Sequence, residues 1–469
     1  MSTSADAIAA TPPSWSELLL GRLGATAWTL SLGTGMHAIA WYILATALPS
    51  TVEDVGGAPL VSWIVSTYLI ASIVSGAASG LVKARFGSRP LLLIATALFL
   101  AGTLTAAVAP TMEIVILGRT LQGAGEGVIW AVSAMLVKDL FPNATIPAMY
   151  GILAVVWSLG AVFGPLLSGV LTEAAGWRGA LLGMVPLVLV YAFMVAFVLP
   201  PVAPSRASLR FPFGRLLIVA AGVVALLVGG VSTHAGASLA ALLLALAIVA
   251  GALRLDAAAD IRLFPRRLLA PTTVVPLGIW TMTLMFAAEA AVSVYAALLA
   301  QLLFGASPMV AGYAMAIVAF AWTASALATA RRGTRVADAG IVAGPALLVV
   351  GHAGVAMALV ASSFAGFCLA LALVGTGFGV AYTFVHQRVL AAAETDESDV
   401  TAGALPTLEA AGAAFGAGLA GLCGNLLGLG DPGQIDRFRD AAAWVMAGAA
   451  VVALPAVAGA IALVRIGRR

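Results

Sequence analysis

Charge is what this chain has least of. Only 9% of its 469 residues are charged and 62% are hydrophobic, where soluble domains carry about 25% charge. A soluble fold built from that composition would have no polar surface, so the soluble classes are excluded. Cysteine is almost absent: Cys368 and Cys423 both fall in apolar runs, which excludes a disulfide framework. Metal-ligand spacings, nucleophile–base sets and phosphate-binding glycine loops are missing. Those absences, with no soluble stretch to signal through, set aside an embedded enzyme or sensor. No cofactor is expected. The net charge of +3 carries no nucleic-acid signal, because the basic residues sit in short turns. The first 25 residues are polar, contain Pro12-Pro13 and lack a signal-peptide pattern.

What remains is a series of apolar windows about 20 residues long, each sufficient to cross a bilayer as a helix. They predict an all-α polytopic membrane protein with fourteen transmembrane helices. Six lie near 26–49, 59–82, 90–109, 112–138, 145–172 and 179–199. A shorter pair follows near 213–231 and 236–254, then six more near 273–303, 309–330, 339–361, 364–390, 400–428 and 441–465. Basic residues orient the chain, since they concentrate in cytoplasmic loops. Alternate connections hold Arg22; Lys83, Arg85 and Arg89; Lys138; Arg206, Arg210 and Arg215; Arg254, Arg262, Arg266 and Arg267; Arg331, Arg332 and Arg335; Arg388; and Arg465, Arg468 and Arg469. The other side holds Arg178, Arg437 and Arg439. Both termini are therefore expected in the cytoplasm. The Ala/Gly/Val/Arg-heavy composition suggests a GC-rich bacterial genome, hence a bacterial cytoplasmic (inner) membrane.

Gly57-Ala58-Pro59-Leu60-Val61 opens the second span and Gly305-Ala306-Ser307-Pro308-Met309-Val310 the tenth. A basic turn ends each. This repetition predicts two parallel six-helix bundles, residues 1–205 and 269–469, with an inserted helix pair and its linkers at 206–268.

Ionisable residues inside such spans are costly and face a bundle interior or a wet cavity. Arg119 and Glu126 share one helix face, about 10 Å apart along the axis, with Gln122 between them and Trp130 one turn beyond. Glu126 is the first candidate for a titrating group; a static hydrogen bond is the alternative. Glu289 shares a face with Met282, Met285 and Phe286, a surface suited to a lipophilic cation or to plain packing. Glu409, after Pro406, suits a coupling role as well as a hydrogen bond to a neighbouring helix. His37, one turn before Trp41, titrates near neutrality when unperturbed. His352 and His386 rank below it. Trp41, Tyr42, Trp130, Trp157, Trp280 and Trp322 either line an aromatic cavity or pack.

Three motifs in the expected order carry a resemblance. Gly80-Leu81-Val82-Lys83-Ala84-Arg85-Phe86-Gly87-Ser88-Arg89 follows the second span, Arg119, Gln122 and Gly123 lie in the fourth, and Gly160, Gly164, Pro165 and Gly169 lie in the fifth, before Gly176-Trp177-Arg178. The chain resembles the major facilitator superfamily, and its fourteen-helix drug:proton antiporter branch in Ala45-Thr46-Ala47-Leu48-Pro49, Gln301 and Gly305 to Gly312. The resemblance implies alternating access, with Gly80, Arg85, Gly87 and Arg89 and the Gly160/Gly164/Pro165/Gly169 series as conformational motifs. It also implies export. Three positions depart from the pattern. Ala40 stands where the first helix usually has an acid, Ala84, after Lys83, where the loop usually has Asp, and Glu126 where small residues are more common. The proton carrier is then sought in Glu126, Glu409 and His37, and substrate contacts in Glu289, Arg119, Gln122, Trp130, Trp41, Met285 and Phe286. The expected function is proton-coupled export of amphipathic compounds. The rival is export of a lipid or an endogenous metabolite such as a siderophore. Expected partners are a small-molecule substrate, protons and the lipid bilayer, with the protein a monomer that binds no nucleic acid.

Overall fold

In a computed structural model, the structure describes residues 20–467 except 22, 143–144, 203, 205–211, 233, 330–332, 395–396 and 431–432. Seven of the basic residues used for orientation, Arg22, Arg206, Arg210, Arg331, Arg332, Arg468 and Arg469, lie outside the described residues. The described chain is all-helical. It comprises α1 (Gly24–Val55), α2 (Val61–Phe86), α3 (Ser88–Ala107), α4 (Met112–Leu140), α5 (Ile146–Leu182), α6 (Val185–Phe193), α7 (Phe213–Gly230) and α8 (Ala235–Ala257). It continues with α9 (Val274–Phe304), α10 (Pro308–Thr329), α11 (Thr334–Val360), α12 (Phe364–Ala391), α13 (Ser398–Leu427) and α14 (Ile435–Gly467). Helices satisfy their own backbone groups, which is why apolar segments of this length adopt them.

Eleven helical runs are long and apolar enough to cross a membrane. The run 148–198 counts once although it holds α5 and α6, and α1 and α4 fall outside the eleven. Helix α4 carries Glu113, Arg119, Glu126, Lys138 and Asp139, the most charge of any helix in the chain's first half. The sequence break between the fifth and sixth windows appears as Gly176, at φ +69° within an otherwise continuous helix. Only glycine enters that region without strain. Pro49, expected to end α1, is instead carried inside it, and the helix runs on to Val55.

Helix α4 owes its position to alternate glycines. A methyl group at Gly123 would strike the carbonyl of Tyr68, and one at Gly127 the carbonyl of Ser72, both on α2. At Gly125 it would strike the Ala95 carbonyl and Phe99 on α3. The backbones of α2 and α3 thus approach α4 from two sides at the level of Glu126. Helix α12 repeats the arrangement: Gly375 and Gly379 admit the carbonyls of Val318 and Trp322 on α10, and Gly377 admits that of Gly344 on α11. The segments Gly123-Ala124-Gly125-Glu126-Gly127-Val128 and Gly375-Thr376-Gly377-Phe378-Gly379-Val380 correspond residue by residue.

Early and late helices meet along a seam. Pro165 of α5 packs on Gly312 of α10, and Gly169 packs on Met309. Among the described residues three hydrogen bonds cross the seam: Gln301 Nε2 to the Thr46 carbonyl at 3.0 Å, Asn425 Nδ2 to the Pro59 carbonyl at 2.8 Å, and Ser66 Oγ to the Ala414 carbonyl at 3.0 Å. All lie toward the end of the bundle that holds Asp54 and Gly305. A continuous buried core spans both parts of the chain there, whereas Ile279, Ile341, Val385 and Leu463 belong to a separate core of the later helices that also takes in Leu253 of α8 and Phe264 of the linker after it.

Helix α7 lies across both α2 and α13, with Val223 and Leu227 against Ala414, Trp63, Leu69 and Ile70. Asn425 donates a second bond to the α7 carbonyl of Gly230 at 2.9 Å. The linker after α8 is pinned by buried Asp256, which accepts from Arg215 at 2.6 Å and from the amides of Leu263 and Phe264, each at 2.9 Å.

Candidate functional site

Glu126 sits at the middle of α4 and is 5% exposed. Its Oε2 accepts from Ser72 Oγ at 3.0 Å, and its Oε1 lies 2.6 Å from His37 Nδ1 of α1. His37 Nδ1 is also 3.1 Å from the Tyr68 hydroxyl. Tyr68 and Ser72 are one turn apart on α2, on the face that Gly123 and Gly127 draw against α4. The same glycines that set the helix spacing therefore deliver two of the carboxylate's neighbours. A neutral imidazole with its proton on Nδ1 suits both the carboxylate and the tyrosine oxygen. The pair needs no additional proton to be satisfied.

Arg119 and Gln122, predicted on the same stripe, form a separate structural unit. Both are 1% exposed. Arg119 donates to Gln122 Oε1 at 2.7 Å, Gln122 Nε2 donates to Thr103 Oγ1 of α3 at 2.8 Å, and the guanidinium lies over the Tyr68 ring at 4.1 Å. That enclosure, with cation–π contact, ties α4 to α2 and α3. Trp130, by contrast, is 48% exposed. With Trp157 of α5 it borders His37, at centroid distances of 5.8 Å and 5.0 Å. Trp41 is half-buried against the surrounding core.

The later helices present a different surface. Phe378, the counterpart of Glu126 in the repeated glycine segment, stacks on Trp322 at 4.7 Å and meets Phe286 at 4.9 Å. Tyr382 lies 5.3 Å from Trp322 and 4.0 Å from the His386 ring. Glu289 is half-buried and accepts from Ser293 at 2.5 Å. Met282 and Met285 are fully buried in the core of the later helices, so the predicted Met/Phe/Glu face divides between packing and the cluster. Glu409 is 6% exposed, and its Oε1 lies 2.9 Å from His386 Nε2.

The motif residues have mechanical places. A methyl at Gly80 would only touch Met135, Gly87 turns the chain at φ +83°, and Arg89 donates to the Leu199 carbonyl at 2.6 Å. Arg85 lies over the Phe86 ring at 5.4 Å. Lys83, beside Ala84, pairs with Asp139 at the far end of α4. Gly160 and Gly164 bring α5 onto Ala38 and Tyr42 of α1, while Pro165 and Gly169 face α10. At the opposite end Asp54 takes hydrogen bonds from Arg178 and Trp177, and the Arg178 contact holds its carboxyl below the usual value. Among the described residues no cluster of His, Cys, Asp and Glu suits a metal ion. Tyr68, Ser72, Thr103 and Tyr382 are the neighbours that sequence reasoning missed.

An all-helical chain with many membrane-length runs and ionisable pairs enclosed between helices has the build of a polytopic membrane transporter. The chain belongs to the Major Facilitator Superfamily, whose profile matches residues 30–417. It is 30% identical over 434 residues, 88% of this chain and 90% of the relative, to the "Probable multidrug-efflux transporter Rv1634" of Mycobacterium tuberculosis. A solved peptide transporter of the POT type superposes with a TM-score of 0.68 at 17% identity, covering 95% of this chain and 96% of that one. A D-xylose–proton symporter superposes with a TM-score of 0.63 at 15% identity, covering 93% and 98%. At those identities the two structures share the fold alone. The chain is a transporter and not an enzyme; as a member of this family it works in a lipid bilayer on a small-molecule substrate.

Proposed function

We propose that this protein is a proton-coupled exporter of amphipathic, lipophilic compounds that works by alternating access. The carrying observation is Glu126, enclosed at mid-helix and served by His37 of α1 and Ser72 of α2. A carboxylate that keeps its donors in a low-dielectric site holds its charge; one that loses them takes up a proton. Movement of α1 or α2 against α4 would therefore exchange a proton. The aromatic cluster of Phe286, Trp322, Phe378 and Tyr382, with Glu289 nearby, supports a cargo that is largely apolar and carries positive charge. The mycobacterial relative's name supports efflux.

The same reading takes α1–α6 and α9–α14 as two six-helix bundles, residues 1–205 and 269–469, with α7 and α8 inserted and all fourteen helices crossing a bacterial inner membrane. The matched glycine packing of α4 and α12 supports two repeats, and the basic residues at alternate helix ends support cytoplasmic termini. With that orientation the seam is fastened at the outer end, so this conformation opens inward. A monomer contains the whole pathway.

The test is transport in proteoliposomes, with pH gradients imposed in both senses and ethidium as the cationic probe. Ethidium driven against its gradient by an opposing proton flow is the expected result. Ethidium movement that ignores the gradient in both senses refutes proton coupling.

A further inference from the structure

We propose that His386 and Glu409 together hold one proton, forming a second proton-binding site in the later helices. His386 Nδ1 lies 3.0 Å from the Tyr382 carbonyl. A carbonyl only accepts, so Nδ1 carries the proton of the neutral ring. Nε2 is then bare, and it is the nitrogen that stands 2.9 Å from Glu409 Oε1. That oxygen is buried and has no hydrogen-bond donor. A bare imidazole nitrogen beside an ionised, undonated carboxylate oxygen sets two electron-rich atoms against each other in an apolar site. One added proton satisfies both atoms, as imidazolium with carboxylate or as imidazole with carboxylic acid. The His37–Glu126 pair differs here: Nδ1 of His37 is free to carry its proton toward the carboxylate, so it needs none added.

Most charged groups on the helices packed around the pair have partners of their own, Arg215 of α7 held by Asp256 among them. On α12 the Tyr382 hydroxyl faces Glu409, and Arg388 is taken by Asp338 of α11 at 2.6 Å. His352 of α11 is bonded to its own Leu348 carbonyl at 2.8 Å, and Glu289 of α9 to Ser293. Helix α10 has no charged side chain among its described residues. On α2 Lys83 pairs with Asp139, and Glu397 at the start of α13 pairs with Arg262 at 3.2 Å. The His386 side chain is 19% exposed against 8% for Glu409, so the histidine is the side from which a proton enters.

A proton-coupling role for this pair rests on the function proposed above; proton binding does not, and the experiment separates them. The protein has four histidines, so ¹⁵N-histidine labelling in lipid nanodiscs gives a resolvable spectrum, with His386→Gln assigning its signals. At about pH 6 Nε2 of His386 should be protonated or hydrogen-bonded to a shared proton. Glu409→Gln should remove the shared-proton signature, because a glutamine amide can offer Nε2 only a donated hydrogen bond. A wild-type spectrum of neutral imidazole with bare Nε2 throughout about pH 5 to 8 overturns the proposal, and needs no variant to fold. A shared-proton signature that persists unchanged in Glu409→Gln overturns it as well. A shared proton in a protein that ignores pH gradients would sustain the site and refute coupling.

Discussion

Replacing Glu126 with glutamine fixes the neutral form of the group at the centre of α4 while preserving its shape. The amide oxygen can still take one donor, Ser72 or His37, but its NH₂ meets the other. The loss is one hydrogen bond to a charged group, about 1.5–3 kcal/mol, against a total stability of about 5–15 kcal/mol. Glu126→Gln is therefore expected to fold and to bind probe. Its effect on transport should be much larger. With the membrane potential clamped at zero, a pH difference of about one unit supplies about 1.36 kcal/mol per proton, enough for about a tenfold cargo gradient per proton exchanged. Wild-type proteoliposomes should approach that ratio with ethidium for one proton exchanged. Glu126→Gln should equilibrate near unity, while Glu289→Gln should weaken ethidium binding and keep coupling. Glu126→Gln that sustains the wild-type ratio, while Glu409→Gln or His37→Ala abolishes it, would refute the assignment to Glu126.

Gly127→Ala drives a methyl group into the Ser72 backbone and should cost about 1–3 kcal/mol, read as a lower thermal midpoint in detergent. Gly151→Ala, where a methyl meets nothing within 4 Å, should not lower it. Asn425→Ala removes one hydrogen bond across the fastened end of the seam, about 1 kcal/mol, and should shift the conformational balance about fivefold toward opening there; spin-label distances between α2 and α13 check it, and unchanged distances count against the seam's role. Asp54, whose carboxyl is held below its ordinary value of 3.8 first by the Arg178 hydrogen bond, stabilises the fold above that value and loses the contribution as pH falls through its lower folded one. Asp54→Asn should accordingly flatten the acid side of the melting-versus-pH curve, by a small amount because the group is exposed.

The helix count was legible because hydropathy and turn residues act locally. Every sequence window but the sixth falls on one observed helix, the sixth beginning inside α5 and running through α6, and the other errors are at ends such as Val55, where a proline was absorbed. The shared face of Arg119 and Gln122 was legible for the same reason, being one helical turn. The partners of Glu126 and Glu409 were not. His37, Tyr68 and Ser72 reach Glu126 from other helices, and no periodicity in α4 names them. A usable signal did exist. The alternate glycines flanking Glu126 mark where neighbouring backbones must close in, so residues one turn apart on those neighbours, such as Tyr68 and Ser72, were the ones to seek. The methionine face of α9 misled because apolar side chains at helical spacing look alike whether they face a cavity or a core.

The correspondence of α4 with α12 bears directly on how such a chain divides its work. Both helices keep the three glycines that let two neighbours approach, so the backbone geometry at this level is the same in each. At the position between the second and third glycines, one helix has Glu126 and the other Phe378. The partners differ to match: Tyr68 and Ser72 stand where α10 has Val318 and Trp322. One framework thus presents a hydrogen-bonded carboxylate from the early helices and an aromatic stack from the late ones. A cargo with a charged end and an apolar body would find one kind of contact on each side of the seam. Such a cargo would then lose one of them whenever the helices part. Swapping the two chemistries, with Glu126→Phe and Phe378→Glu together, should preserve the packing of α4 and α12 while failing to restore transport. The acid would then lack His37, Tyr68 and Ser72, the neighbours that make it more than a buried charge.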